Sequence, residues 1–311
     1  MTQSFDILGF GEPLMELSAV TRHGEAFYLP GHGGDTSNAI IAAARQGAKT
    51  AYFTWMGDDA FGRDFLSLWD QEGVDRSTVL CPPGSRSGIY FISHGPNGHE
   101  FSYFRAGSAA SLVTPADIPT DLIRHSKILH VSGISQGISQ SACDAVFAAM
   151  ATARSNETLI SYDTNLRLRL WPLERARAII HAALHNAYFA LPGLDDAQQL
   201  TGLQRPEEIC DLYLAFGCAV VALTMGKNGT MVATAHNRQV IPAYPVEALD
   251  ATGAGDTFDG AFLANWLANG RDPFAAAAYA NAAAALSTLG YGAVGPIPRQ
   301  HDVKAFLQTQ A

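Results

Sequence analysis

The chain has 311 residues, 48% hydrophobic and only 16% charged, which permits a sizeable buried core and argues against long disordered tails. Its net charge is −9 with no basic run, so it does not read as a nucleic-acid binder, and an anionic ligand would have to be met by local positive groups. The N-terminal stretch carries Asp6, Glu12 and Glu16 and does not read as a signal peptide, and the Ala-rich run Phe274 to Leu289 is too short and too polar for a membrane span.

Phe5 to Gly11 reads as a first strand ending in a glycine turn. Asp35 is a plausible N-cap for an Ala/Ile-rich helix over about Thr36 to Gln46, which Gly47 ends. Thr50 to Met56 reads as a strand and Gly62 to Glu72 as a helix closed by Gly73. The same grammar recurs downstream. Strands are expected at Ser126 to Val131, Thr158 to Tyr162, Tyr188 to Leu191 and Ala219 to Met225. Helices are expected at Ser139 to Arg154, Pro172 to Asn186, Asp195 to Thr201 and Thr257 to Leu267, with the Ala-rich run as another. Strand–helix alternation of this kind gives an α/β fold, a mostly parallel sheet covered by helices on both faces.

Two segments break the alternation. Ser87 to Arg105 alternates polar and apolar residues about Gly95-Pro96-Asn97-Gly98, a hairpin signal, and Glu12 to Pro30 also reads as extended. Together they imply a small antiparallel sheet, a candidate lid contributed by segments of about 12–32 and 86–106 within a single domain over 1–311. Free edges on such a sheet could be covered by a second subunit, so a homo-oligomer is expected. Cys81, Cys143, Cys210 and Cys218 lack C-x-x-C spacing and read as isolated thiols, compatible with the cytoplasm.

The densest chemical signal is Asp250-Ala251-Thr252-Gly253-Ala254-Gly255-Asp256-Thr257. A glycine-rich turn running into a helix leaves backbone N–H groups free at the positive end of the helix dipole. Such a turn forms an anion hole suited to a transferring phosphoryl group. Asp256 stands at its rim, either as a helix cap or as a carboxylate that takes a proton from a hydroxyl nucleophile. The helix N-terminus is expected to keep it ionised. Other phosphate motifs are missing: there is no G-x-x-x-x-G-K-[ST], and Leu14 stands where a dinucleotide fingerprint after Gly9-Phe10-Gly11 would need glycine.

Gly33-Gly34-Asp35-Thr36-Ser37-Asn38 before the Ala-rich helix, Gly57-Asp58-Asp59 with Gly62, and Asp250 to Phe258 resemble the paired signatures of the ribokinase-like (PfkB) carbohydrate kinases. The resemblance spans nearly the whole chain and implies a ribokinase-like fold and ATP-dependent sugar phosphorylation. Tyr103 to Ala110 and Asp163 to Trp171 further resemble the substrate segments of the subgroup acting on 2-keto-3-deoxygluconate. A sugar acid needs a cation for its carboxylate, and arginine grips one bidentately. Arg167 follows a strand end, where α/β sheets bind ligands, although Arg167 and Arg169 also fit a solvated surface.

By this resemblance Asp256 is the catalytic base, with Gly253, Ala254 and Gly255 forming the anion hole. Gly34, Asp35, Asn38, Tyr90, Tyr103, Arg105 and Arg167 would bind the sugar. Asn165, Arg167, Thr224, Gly226, Lys227, Gly229, Gly253, Gly255 and Asn281 would face ATP, although Lys227 fits solvent equally well. Gly193-Leu194-Asp195-Asp196 stands where many relatives carry Asn-x-x-Glu, which leaves Asp196 as the candidate for Mg²⁺ through water. A monovalent cation such as K⁺ near Asp250 and Gly290 to Gly295 is a further expectation by family analogy. Another sugar of the family (fructose, ribose or a related keto-deoxy acid) and a non-catalytic sugar-binding regulator are the alternatives.

Overall fold

The computed structural model describes residues 5–22, 25–95 and 98–310. The chain runs β1 (Phe5–Phe10), β2 (Leu14–Arg22), β3 (Glu25–Gly33), α1 (Asp35–Arg45), β4 (Thr50–Phe53), α2 (Ala60–Glu72), β5 (Gly88–Gly95) and β6 (Gly98–Phe104). It continues with α3 (Thr120–Arg124), β7 (Ser126–Ser132), α4 (Gly133–Gly137), α5 (Gln140–Arg154), β8 (Leu159–Asp163), α6 (Leu173–Leu184), β9 (Phe189–Leu191) and α7 (Leu194–Thr201). The last elements are α8 (Pro206–Ala215), β10 (Val220–Thr224), β11 (Thr230–Thr234), β12 (Arg238–Ile241), α9 (Ala254–Ala268), α10 (Pro273–Ser287) and α11 (Gln300–Gln310).

An eight-stranded sheet in the order β12-β11-β10-β9-β8-β7-β1-β4 forms the body. It is parallel from β4 to β10, and β11 and β12 add an antiparallel edge. Side chains alternate across each strand, so Ile7 enters the core under α1, α9 and α10 while Leu8 and Phe10 enter the core under α5 and α6. The alternation read from the sequence is therefore present, with helices on both faces. The hairpin β11–β12 and helices α3, α4, α8 and α11 were not anticipated, because they are short or follow polar turns.

The second sheet has four strands in the order β3-β2-β5-β6. It departs from the expected antiparallel arrangement: β2 and β5 run parallel. The reason is connectivity. Both strands leave the body in the same sense, β2 directly after β1 and β5 after the excursion through β4 and α2, while β3 and β6 return. The Pro96-Asn97 turn falls outside the described residues.

Helix α9 is buried on nearly every side, from Thr257 to Trp266, as expected of a helix that is apolar all round. It crosses α1 closely. A side chain at Gly260 would collide with the Ala39 carbonyl, and Ala42 and Ala43 line the same crossing. This small-residue contact brings the N-terminal ends of α1 and α9 together at the mouth of the sheet.

Candidate active site

A cleft of about 1020 Å³ lies between the two sheets, lined by the C-terminal ends of the body strands, the first turns of α1 and α9, and the inner face of the second sheet. At the start of α9, Gly253 adopts φ 74° and ψ 6°. That left-handed conformation favours glycine, and a Cβ there would also meet Ala293 at 3.0 Å. Gly255 has open space where a side chain would stand. The first helical turn leaves N–H groups without intrahelical acceptors and with positive potential. Ala254 N–H is partly spent on the Ala251 carbonyl at 3.2 Å.

Asp256 projects from this turn and accepts a 2.8 Å hydrogen bond from Asn38 Nδ2. Burial pushes its carboxyl up to about 7, the Asp35 charge adds to the rise, and Asn38 and Arg167 pull it back. The expectation that the helix end keeps Asp256 ionised is thus corrected. Desolvation and a neighbouring carboxylate outweigh the dipole of one helix turn. A carboxyl poised near neutrality is well matched to accepting a hydroxyl proton.

Asp35 and Asn38 lie one turn apart on α1, whose cap Gly34 has φ 107° and would place a Cβ 2.5 Å from the Glu12 carbonyl. Asp35 Oδ2 accepts from Asn165 Nδ2 at 3.3 Å. Asp35 Oδ1 and Asn38 Oδ1 are buried without a hydrogen-bond partner among the described residues. Both residues line the cleft, which brings polar side chains of α1 into the same wall as Asp256. Asp163 ends β8 and accepts from Asn165 N–H at 3.0 Å and Nδ2 at 2.9 Å, which secures Asn165 at φ 24°.

Asp259, one turn beyond Asp256, also lines the cleft and escaped the sequence reading. Its position three residues after Asp256 on the same helix face was the available signal. Burial raises the Asp259 and Asp163 carboxyls well above the usual range, and each also feels the other carboxylates around it.

The second sheet contributes Tyr90, Tyr103 and Arg105. The Tyr90 hydroxyl donates to buried Glu16, so its ring rather than its hydroxyl faces the cleft chemistry. Tyr103 packs 5.6 Å from Tyr90 between ring centroids and carries the Arg105 guanidinium 5.7 Å over its own ring. Arg105 donates from Nε to Glu12 Oε2 at 2.7 Å, and Ser108 donates to the other Glu12 oxygen. Arg105 is therefore already neutralised by a buried partner, which the sequence did not reveal. Arg167 is less committed: its side chain is 48% exposed, it donates to the Leu166 carbonyl at 2.8 Å, and it lies 3.7 Å from Asp196. Arg169 reaches across to the Phe101 carbonyl of β6.

On the other side of Asp256 the cleft is lined by Gly193, Asp196 and Thr224. Gly226, Lys227, Gly229 and Asn281 are not among the lining residues. Gly226 and Lys227 form an exposed turn. Asn281 accepts from Thr230 at 2.7 Å and donates to the Ile241 and Pro242 carbonyls, so both ends of its amide brace the β11–β12 edge. Asp196 accepts the Leu166 N–H at 2.9 Å. Among the described residues, no group of three or more acidic, histidine or cysteine side chains is placed to hold a metal ion.

The model of the pfkB family of carbohydrate kinases matches residues 19–300. This chain belongs to that family. The PfkB chain is 34% identical over 306 residues to a 2-dehydro-3-deoxygluconokinase of Thermoproteus tenax, covering 95% of this chain and 93% of that one. It is 30% identical over 321 residues to fructokinase-1 of Oryza sativa subsp. japonica, covering 97% and 98%. Among solved structures, a chain from E. coli proposed to be a ribokinase II, in complex with ATP and Mg²⁺, superposes with a TM-score of 0.89 at 25% identity, covering 98% and 99%. The fold is ribokinase-like, and the protein is a sugar phosphotransferase of the ATP-binding kind.

Proposed function

We propose that this PfkB kinase transfers the γ-phosphoryl group of ATP to the terminal hydroxyl of 2-keto-3-deoxy-D-gluconate, yielding 2-keto-3-deoxy-6-phosphogluconate and ADP. The observation that carries this reading is the half-exposed Arg167 guanidinium in the same cleft as Asp256 and the two unpartnered acceptors of Asp35 and Asn38. The acceptors take sugar hydroxyls, and Arg167 takes the carboxylate at the far end. Gly34, Tyr90 and Tyr103 wall the sugar, and Arg105 with its Glu12 partner adds a fixed donor.

Asp256 accepts the C6 hydroxyl proton, a bond forms from that oxygen to the γ-phosphorus, and the bond to the bridging oxygen of ADP breaks. N–H groups of Gly253 to Asp256 receive the charge that spreads over the transferring oxygens. Thr224, Asn165 and Gly193 lie on the side left for the nucleotide, with the 226–229 turn beyond them. Bound with ATP, Mg²⁺ neutralises the phosphates. Asp196, which lines the cleft on the side of Thr224, is the carboxylate we assign to it, and with no preformed cluster of three ligands among the described residues the phosphates and water would supply the rest. The Asp250 carboxylate is spent on Thr252 and Gly292, so K⁺ near the 290–295 loop would be held chiefly by backbone carbonyls.

The four free thiols support a cytoplasmic location, where a reducing environment keeps cysteines unpaired. The outer face of the second sheet exposes Tyr28 and Phe104 on either side of Phe91, and we assign this apolar face to a homo-oligomer, checked by light scattering.

A second reading is a fructokinase. It is favoured by the Glu12–Arg105 pair, because a cation neutralised in advance leaves a cleft that also suits a neutral hexose. A coupled assay of ADP release over a panel of sugars and sugar acids separates the two. Turnover confined to keto-deoxy acids supports the first, and turnover confined to neutral sugars supports the second.

A further inference from the structure

We propose that Arg45 and Glu72, which touch no lining residue of the cleft through their charged groups, are positioning residues for phosphoryl transfer. The inference rests on the kinase reading above. Arg45 is the last residue of α1, the helix whose first turn carries Asp35 and Asn38. Its guanidinium and the Glu72 carboxylate are largely buried, at 10% and 8% side-chain exposure. Two nitrogens of the fork, Nε and Nη2, meet the two Glu72 oxygens at 3.0 and 2.7 Å. The third, Nη1, holds the carbonyls of Val294 and Ile297 at 2.9 and 2.6 Å.

Those carbonyls belong to the segment that forms the back wall of the anion hole. Gly292 N–H in that segment donates to Asp250 Oδ2 at 2.9 Å, and Ala293 lies so close to Gly253 that a Cβ there would meet it at 3.0 Å. The segment is thus pinned from outside by Arg45 and rests inside against the turn that presents Asp256. One rigid helix then carries both the sugar contacts at its start and the anchor of the phosphoryl-transfer turn at its end. Their separation is fixed by the helix repeat rather than by a loop. Lysine cannot replace the arginine, since it lacks the planar fork that serves a carboxylate and two carbonyls together. Arg299 makes a longer contact to Glu72 at 3.4 Å and does not reach the loop through it.

The test uses the full chain carrying Arg45→Lys or Glu72→Gln. Hydrogen exchange of peptides covering 250–258 and 290–297 is expected to accelerate by about fivefold or more, with the second sheet unchanged. The turnover number is expected to fall by about tenfold or more with the sugar KM within about twofold, because misplacement by less than an ångström is costly in rate. Unchanged exchange in those peptides, or a uniform rise with turnover intact, overturns the proposal. A wild-type chain that phosphorylates nothing overturns the kinase reading instead, and the exchange result still decides the brace.

Discussion

Asn38 Nδ2 donates to Asp256 Oδ2 at 2.8 Å, a contact between residues 218 positions apart in the chain. It exists because α1 and α9 cross at Gly260, where only a hydrogen side chain lets the helix axes approach. One end of the Asn38 amide steadies the Asp256 carboxyl, and the other, Oδ1, is buried without a hydrogen-bond partner among the described residues. In the proposed reaction the same residue would link the group that takes the proton to the sugar that gives it.

Replacing Asn38 with Leu should remove the donor that favours the ionised form of Asp256. The apparent pKa of the acid limb of kcat/KM should rise, and activity at pH 7 should fall by about tenfold or more, recovering in part as the pH rises. A pH–rate profile checks this. An acid limb that does not move argues that Asn38 contributes only packing.

The raised pKa of Asp256 fixes two signs. Its base form dominates above about 7, so activity should climb with pH through that region. The folded state also binds a proton that the unfolded chain has released over the window from 3.8 to about 7. Stability contributed by this group is consequently lost as pH rises across that window. Asp256→Asn should cut kcat by about three orders of magnitude or more. The variant should melt above the wild type at pH 8 and lose that advantage near pH 4. Melting curves at the two pH values check the sign, and an advantage confined to low pH would contradict it.

Arg167→Ala should raise KM for the sugar acid by about tenfold to a hundredfold, the worth of one charge-assisted hydrogen-bonded pair. A neutral sugar should be affected little. Because Arg167 is half-exposed, its removal should leave cooperative melting in place. Equal losses on both substrates would place the substrate carboxylate elsewhere in the cleft.

Gly260→Ala should destabilise the fold by about 1–3 kcal/mol, because the added methyl has the Ala39 carbonyl in its path and the two helices must separate. The same separation should carry Asn38 away from Asp256. Thermal melting and the pH profile read the two effects independently, and a variant with wild-type values of both would show that the crossing is not tight.

Much of this architecture was legible locally. Each body strand is a short apolar run and several of the following helices are closed by glycine, as at Gly47 and Gly73, so the alternation declares itself. The turn at Gly253 to Asp256 is also local, since its glycines, its acid and its helix are adjacent in sequence. What was hidden depends on distant partners. The parallel pairing of β2 with β5 follows from how the chain leaves the body, not from either strand. Glu12 looked like one of several acids near the N-terminus, yet it neutralises Arg105, 93 residues away. Asp259 was masked by the apolar helix around it, and the ionisation of Asp256 was misjudged because its burial, and then the charge of Asp35 arriving from another helix, depend on the assembled fold. Asn281, expected to face ATP by resemblance, has both ends of its amide engaged by neighbouring structure.

The central claim is that this cleft phosphorylates a sugar acid. Its most direct test is the ratio of kcat/KM for 2-keto-3-deoxy-D-gluconate to that for fructose, with ATP and Mg²⁺ in excess. The account predicts a ratio of about a hundred or more, the discrimination available to a site whose cation is left unpaired by the wrong substrate. A ratio near one, or one in favour of fructose, would contradict it.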